Sequence, residues 1–325
     1  MSVSSGSIFN YHAFLLNGMV QWPEYTIYRG LSDVAKNHED DAALVFDGET
    51  TTYNELLADS RQLAAGFADL GISDGDVVAV WLANRPEWIK TQLAASYLGA
   101  VVVAVNTRYR THELEYMLSD SDAVAIVLER KFLEKNYLEM LAELVPEIQD
   151  HDPQTFESSA FPSLKHVIAV DGDDRYSAIR AFDRVRTRGT STPERATDPT
   201  APACIFYTSG TTGDPKGCLQ SNRSLLNHSY QAGVHLGVSD QDTLLGVLPF
   251  CGVYGYNTFL SVLLHGGTLI PQSHFDPATS LDLIEKHNIS YVSGLGPIHT
   301  RLINHESFSA DRVETVEKGA IAFLN

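Results

Sequence analysis

The chain of 325 residues is poor in cysteine, in lysine and in long apolar runs. Its three cysteines, Cys204, Cys218 and Cys251, match neither a zinc site nor a disulfide framework in spacing. That leaves small buried or half-buried residues of a reducing compartment. The apolar stretches, such as "SYLGAVVVAV" from Ser96 to Val105, fall short of the roughly 18 to 20 residues that span a bilayer, so no transmembrane helix is expected. The first twenty residues carry a mildly apolar patch without a preceding lysine or arginine and without a small-residue cleavage site, which points to the cytoplasm.

Positive charge is also scarce. Against 41 acidic residues stand 23 basic ones, a formal net charge of −18. Nucleic acid and anionic membrane both demand basic patches, so neither is expected as a partner, and any phosphate must be held locally. Of the basic residues 8 are Lys and 15 are Arg, and an acidic, lysine-poor surface suits a high-salt cytoplasm.

What the chain has is a steady alternation of strand-like and helix-like segments, with 44% hydrophobic residues, enough for a sizeable core. "AALVFDGETTTYNEL" reads as a strand, a turn at Asp47-Gly48 and a helix whose start pairs Thr52 with Glu55 at capping-box spacing. Leu56, Leu57, Leu63, Phe67 and Leu70 then recur at helical spacing, and Gly71 falls where a left-handed C-terminal cap belongs. Strands "VVAVWLA", "VVVAVN" and "AVAIVL" alternate with a helix opened by Pro86 and another after Thr111. They lack polar alternation, as strands buried on both faces do, and the pattern as a whole predicts an α/β fold of parallel, helix-covered sheets. A helix is expected around Lys131 to Leu144, then a polar surface loop, strand "HVIAVD" and a short helix. The organisation is thus an N-terminal extension over 1–30, a first αβ subdomain over 31–185, a linker over 186–202, and a second αβ subdomain over 203–325 that stops with a strand beginning.

The most distinctive stretch is "IFYTSGTTGDPKGCLQSN", Ile205 to Asn222, where an apolar run turns into hydroxyls and glycines around one lysine. Phosphate oxygens need donors from several sides, and glycine permits the close approach and positive φ angles that expose backbone N–H groups. Gly210, Gly213 and Gly217, the hydroxyls of Thr208, Ser209, Thr211 and Thr212, and the ammonium of Lys216 supply such donors. The pattern is not the P-loop of kinases and GTPases, because Pro215 rather than glycine precedes Lys216, and Gly217 follows where a hydroxyl should meet magnesium. On composition the same residues also suit a strand followed by a solvent-exposed hairpin, with Gly-Asp-Pro as its turn chemistry.

"YTSGTTGDPKG" resembles the phosphate loop of adenylate-forming enzymes, the superfamily of acyl-CoA synthetases, peptide-synthetase adenylation domains and firefly luciferase. "YLGAVVVAVNTRYRTHELEYMLSDSDA" is similar to the acyl-CoA synthetase version of a neighbouring segment, and "LGVLPFCGVYGYNTFLSVLLHGGTLI" to the acyl-pocket region. The likeness runs from about Leu31 to the C-terminus. It implies the large N-terminal domain of such enzymes and a two-step ligase: a carboxylate attacks the α-phosphorus of Mg-ATP, then a thiol, most often of coenzyme A, displaces AMP. By the same resemblance Thr208, Ser209, Gly210, Thr211, Thr212, Gly213 and Lys216 close over the β and γ phosphates, with Lys216 as the cation that helps pyrophosphate leave. Gly252, Tyr254 and Gly255 would line the acid pocket. No residue is assigned as a metal ligand; ATP, Mg2+ and coenzyme A are the implied cofactor and co-substrates.

Two departures from the family pattern stand out. The pocket segment usually reads L-P-x-F-H-x-x-G, whereas here it reads "LPFCGVYG", so the histidine position falls on Gly252. Either the pocket is altered, for a bulky or long acid, or the change is without effect on specificity. His265, His274, His287 and His299 sit at expected helix ends or turns and read as surface or capping residues. Secondly, the family's adenine and Mg-binding motif, its ribose-binding aspartate, its hinge and its small C-terminal domain all fall after the point that Asn325 represents. The expectation is therefore an incomplete acyl-CoA synthetase. The alternatives are an incompetent nucleotide-binding protein, half of a split enzyme with a separately encoded C-terminal half, or a module that loads a carrier protein.

Overall fold

A computed structural model describes residues 24–172, 175–188, 198–208, 215–319 and 321–322. The elements before the first long loop are helix α1 (Ile27–His38), strands β1 (Ala42–Phe46) and β2 (Glu49–Thr52), helix α2 (Tyr53–Asp69), strand β3 (Val77–Trp81), helix α3 (Pro86–Leu98), strand β4 (Val101–Ala104), helix α4 (Thr111–Ser121) and strand β5 (Ala125–Leu128). Strands β6 (Lys131–Phe132) and β7 (Lys135–Asn136), helix α5 (Tyr137–Leu144), strands β8 (His166–Ala169) and β9 (Ile179–Ala181) and helix α6 (Phe182–Arg188) follow. Next are strands β10 (Pro202–Thr208) and β11 (Lys216–Ser221), helix α7 (Asn222–Leu236), strand β12 (Thr243–Gly246), helix α8 (Val253–Leu264), strand β13 (Thr268–Pro271) and helix α9 (Pro277–His287). Strands β14 (Tyr291–Val292) and β15 (Gly294–Leu295), helix α10 (Gly296–Ile303) and strand β16 (Ile321–Ala322) complete the order.

The α/β class and the parallel sheets are as expected. A seven-stranded sheet runs β11-β10-β4-β3-β5-β8-β9 and a five-stranded sheet runs β14-β12-β13-β1-β2. Only the β10–β11 and β1–β2 pairings within them are antiparallel. The apolar strands of the larger sheet face two ways. Val78, Val80, Val102, Ala104 and Val127 join one core with helices α1, α2, α3, α7 and α8, while Ala79, Trp81, Val103, Ile126 and Leu128 join another with α4 and α5. Both faces of these strands are therefore dry, which is why the sequence shows no polar alternation. Leu44, Leu244 and Leu269 of the smaller sheet reach the first core from the opposite side, so the shared helices lie between the two sheets. Helix α9 covers the outer face of the smaller sheet through Leu281 and Ile284.

Local signals behaved as their chemistry requires. Asp47 (φ 50°) and Gly48 (φ 84°) form the tight β1–β2 hairpin, Thr52 and Glu55 make both hydrogen bonds of the capping box, and Gly71 takes φ 87° just past α2.

The structure corrects the sequence expectations in three places. Lys131 to Asn136 is not helical but a small hairpin whose turn holds Leu133 at φ 52°, and the helix begins only at Tyr137. Asn136 stops it from starting earlier, because its side chain accepts the Glu139 N–H as an N-cap at 3.2 Å. The first thirty residues are not all an extension. Ile27, Tyr28 and Gly30 are buried in α1, with the Ile27 N–H on Asn222 Oδ1 and the Tyr28 N–H on Ser96 Oγ, both at 3.0 Å. Finally, the blocks 31–185 and 203–325 do not map onto the sheets: β1 and β2 join the sheet of β12 and β13, and β10 and β11 join the sheet of β3 and β4.

Candidate functional site

The loop stretch becomes a hairpin. β10 and β11 pair antiparallel from Cys204↔Gln220 to Thr208↔Lys216, so Thr208 and Lys216 face one another as the last cross-strand pair, both exposed. The readings of phosphate loop and exposed hairpin are thus compatible: the hairpin is the stem, and the donor-rich residues are its connection. Ser209, Gly210, Thr211, Thr212 and Gly213 lie outside the described residues. The stem is anchored where Tyr207 donates its hydroxyl to Asp120 Oδ2 at 2.6 Å, a carboxylate bond that, after burial, pushes the phenol pKa up. Strand β11 escaped the sequence reading because it is an exposed edge strand without a buried apolar face.

The pocket segment lies beside this stem. Phe206, two residues before Thr208, meets Tyr256 of α8 edge-on at 5.4 Å. Gly252 is the N-cap of α8, with its N–H on Pro249 O at 3.0 Å. A Cβ at Gly252 would touch only Pro249 O, at an ordinary 3.5 Å, so the position has room for a side chain. Gly255 is the opposite case: a Cβ there would overlap the Pro249 carbonyl and lie 2.8 Å from Leu248 O. Glycine at 255 lets the first turn of α8 rest directly on backbone. Tyr254 is half-buried; burial raises its pKa, and its hydroxyl shares Ser293 with Tyr291.

Between these parts runs a narrow crevice, too closely packed to admit a water molecule, lined by Leu244, Leu245, Gly246, Leu248 and Phe250 on one side and Gly255, Thr258 and Phe259 of α8 on the other, with the buried Ser293 beside them. It lies where β12 ends, and the loops after β3, β4 and β10 leave their sheet at the carboxyl ends as well. Carboxyl ends of parallel strands are where open α/β sheets hold ligands.

Two residues at this site had drawn no notice in the sequence. Ser293 follows β14 and is buried. Asn84, 3% exposed, follows β3; its Nδ2 donates to the carbonyls of Gly246 and Leu248, both at 2.8 Å, and its Oδ1 accepts from the Phe250 N–H at 2.9 Å. The only cue was a polar residue between an apolar strand and the helix-opening Pro86. Of the histidines, His265 does cap α8, but it is half-buried under the Tyr230 ring, stacked at 4.5 Å, rather than on the surface. Cys204 and Cys251 are buried and Cys218 exposed; all three are free thiols. Among the described residues no group of three or more His, Cys, Asp or Glu could hold a metal ion, and no helix is long and apolar enough to cross a membrane.

The exposed end of the β10–β11 hairpin is thus joined to the α8 segment through the Phe206–Tyr256 contact. The family model described as AMP-binding enzyme matches residues 31–320. The chain belongs to the AMP-binding enzyme family. Among the relatives of this chain is "Putative acyl-CoA synthetase YngI" of Bacillus subtilis strain 168, 31% identical over 307 residues, which are 91% of this chain and 56% of that protein. Another is the mitochondrial medium-chain acyl-CoA ligase ACSF2 of Danio rerio, 29% identical over 312 residues, 91% of this chain and 51% of that one. The chain thus spans about half the length of the curated relatives it matches. In fold it resembles the anthranilate CoA ligase AuaEII solved with anthranoyl-AMP, at a TM-score of 0.78 and 18% identity over 90% of this chain and 54% of that one. The long-chain-fatty-acid-CoA ligase FadD1 of Archaeoglobus fulgidus gives a TM-score of 0.74 at 22% identity, over 88% and 54%.

Proposed function

We propose that the chain carries the phosphate-gripping and acid-binding parts of an ATP-dependent acid–thiol ligase. A carboxylate oxygen attacks the α-phosphorus of ATP and expels pyrophosphate. The thiol of coenzyme A then attacks the resulting acyl carbonyl and expels AMP. The observation that carries this reading is the contact of Phe206 with Tyr256, which brings the base of the Thr208–Lys216 hairpin against the first turns of the pocket helix. The two reactants would be held side by side, and positioning is most of what phosphoryl chemistry asks of a protein. Lys216 and the loop donors, from Thr208 through Ser209, Gly210, Thr211, Thr212 and Gly213, neutralise charge as pyrophosphate departs. Magnesium would arrive on the triphosphate, whose oxygens it prefers.

The acid is a medium-chain aliphatic one. The name of the Danio rerio relative supports that choice, and Phe250 and Phe259 are in keeping with it as apolar side chains in the pocket segment. Gly252 leaves space at the pocket entrance where the resembling enzymes place a histidine. The setting is the cytoplasm and fatty-acid metabolism.

Acid-dependent exchange between ATP and pyrophosphate, measured on this chain with butanoate through hexadecanoate, tests the proposal. Lys216→Ala is expected to lower the exchange about hundredfold, the scale of one lost charge-stabilising donor, with no loss of stability because the side chain is exposed. Exchange that survives this substitution removes the role given to Lys216. A second reading is that the chain holds ATP and acid but works only with a second polypeptide that supplies the adenine side. Exchange that appears only when such a segment is added in trans favours it. Transfer to a carrier protein instead of coenzyme A would reassign the acceptor.

A further inference from the structure

The crevice has one wall made by α8 and one made by Leu244, Leu245, Gly246, Leu248 and Phe250. Three residues of the second wall, Gly246, Leu248 and Phe250, are partners of a single side chain, that of Asn84. We propose that Asn84 is the positioning residue of the acid pocket, fixing the turn that forms one wall of the crevice and carries the start of α8; this rests on the reading of this segment as the acid site.

The geometry leaves that carboxamide no freedom. Both N–H donors are spent on main-chain carbonyls and the oxygen on a main-chain N–H, in a position closed to water. A main-chain turn after β12 is thereby tied to the end of β3, which belongs to the other sheet. Asn84 is itself held from the far side. The buried Glu129, just past β5, accepts the Ala83 N–H and meets Arg85 Nη1 at 3.4 Å, while Arg85 Nε donates to Glu87 at 2.8 Å. The tripeptide Ala83–Arg85 is thus fixed to the larger sheet, and the Gly246–Phe250 turn is fixed to it. The turn then carries α8: Gly255 has no space between itself and the carbonyls of Leu248 and Pro249, so a shift of the turn moves the helix start with Gly252 and Tyr254. Hydrogen bonds that fix a supporting turn, rather than contacts to the ligand, set such a site's tolerance.

The test uses the full chain with Asn84→Ala, Asn84→Asp and a control, Leu164→Ala, which opens the core on the far face of the larger sheet. Two quantities are read: deuterium exchange of 246–252, and calorimetric affinity for straight-chain acids from butanoate to hexadecanoate. In both Asn84 variants, 246–252 is expected to exchange about tenfold faster while 78–82 stays protected, and the affinity ratio between preferred and shorter or longer acids is expected to fall about tenfold. Asn84→Asp is near-isosteric and keeps the acceptor for Phe250, so it folds even where Asn84→Ala does not. The carboxyl it introduces faces two carbonyl oxygens, which favours its protonated form. Lowering the pH toward about 5 should therefore restore a donor and part of the protection, after correction for the intrinsic exchange rate. Leu164→Ala should leave both quantities unchanged at an equal loss of stability. The proposal is overturned if 246–252 keeps its protection in the Asn84 variants, or if Leu164→Ala alters acid preference as much. Should the wild-type chain bind no acid, the proposed function falls, and the exchange measurement alone decides whether Asn84 positions the turn.

Discussion

Two glycines three residues apart in the pocket segment have opposite physical standing. Gly252→Ala should be nearly silent, within about 0.5 kcal/mol in urea unfolding, because its Cβ finds only an ordinary contact. Gly255→Ala should cost about 1 to 3 kcal/mol and weaken acid binding, because the new methyl must push α8 off the Pro249 carbonyl. The family resemblance singled out both glycines, but this difference was not legible in the sequence, since it depends on how closely a helix start approaches a nearby turn. Two half-buried histidines contribute to the pH dependence. His265 donates from Nδ1 to Ser261 O at 2.8 Å, and His166 uses Nε2 on Leu70 O at 2.9 Å; in each the other ring nitrogen is buried without a partner. Burial lowers both pKa values below the ordinary histidine value. The unfolded chain therefore binds more protons below about pH 6.5, so the stabilisation is complete above that pH and is lost as pH falls toward the folded values. Urea midpoints measured from neutral to mildly acid pH should decline, and His265→Gln should flatten the decline.

At the scale of elements, short-range chemistry read well and long-range pairing did not. The Thr52–Glu55 capping box, the Asp47-Gly48 turn and the Gly71 cap each depend on residues within a few positions, so their sequence signals sufficed. The hairpin at Lys131–Asn136 was missed because its two-residue strands carry too little periodicity to compete with the helix that follows. Helix α2 shows how a local element becomes a long-range strut. Tyr53, its first residue, is fully buried and donates its hydroxyl to Gly267 O at 2.7 Å and Leu263 O at 3.1 Å, tying α2 to the end of α8. Tyr53→Phe keeps the ring and leaves two carbonyls without that donor. It should cost about 1 to 3 kcal/mol in urea unfolding, whereas Thr52→Ala, which removes half of the capping box, should cost about 1 kcal/mol.

The whole molecule is an interleaved pair of sheets that share one central core. Separate unfolding of 31–185 and 203–325 would break β1–β13 and β4–β10 pairings, so a single transition is expected, with tryptophan fluorescence and far-UV circular dichroism coinciding in urea. The net charge of −18 acts at this scale too. Salt screens the mutual repulsion of exposed carboxylates, so the melting temperature should rise in molar KCl; a melting temperature indifferent to KCl removes the high-salt reading.

The sequence by itself determined the α/β class, the helix caps and the donor inventory of the Thr208–Lys216 stretch, because alternating burial, capping and glycine chemistry all act over a few neighbouring residues. Only the tertiary structure decided that β1 and β10 trade sheets, that Gly255 and not Gly252 must stay bare, and that Asn84 stands behind the crevice. Those outcomes rest on which main-chain groups meet across long separations in the chain. A strand that is apolar on both faces fits either sheet equally well by its own residues, and packing of the shared helices selects its neighbour.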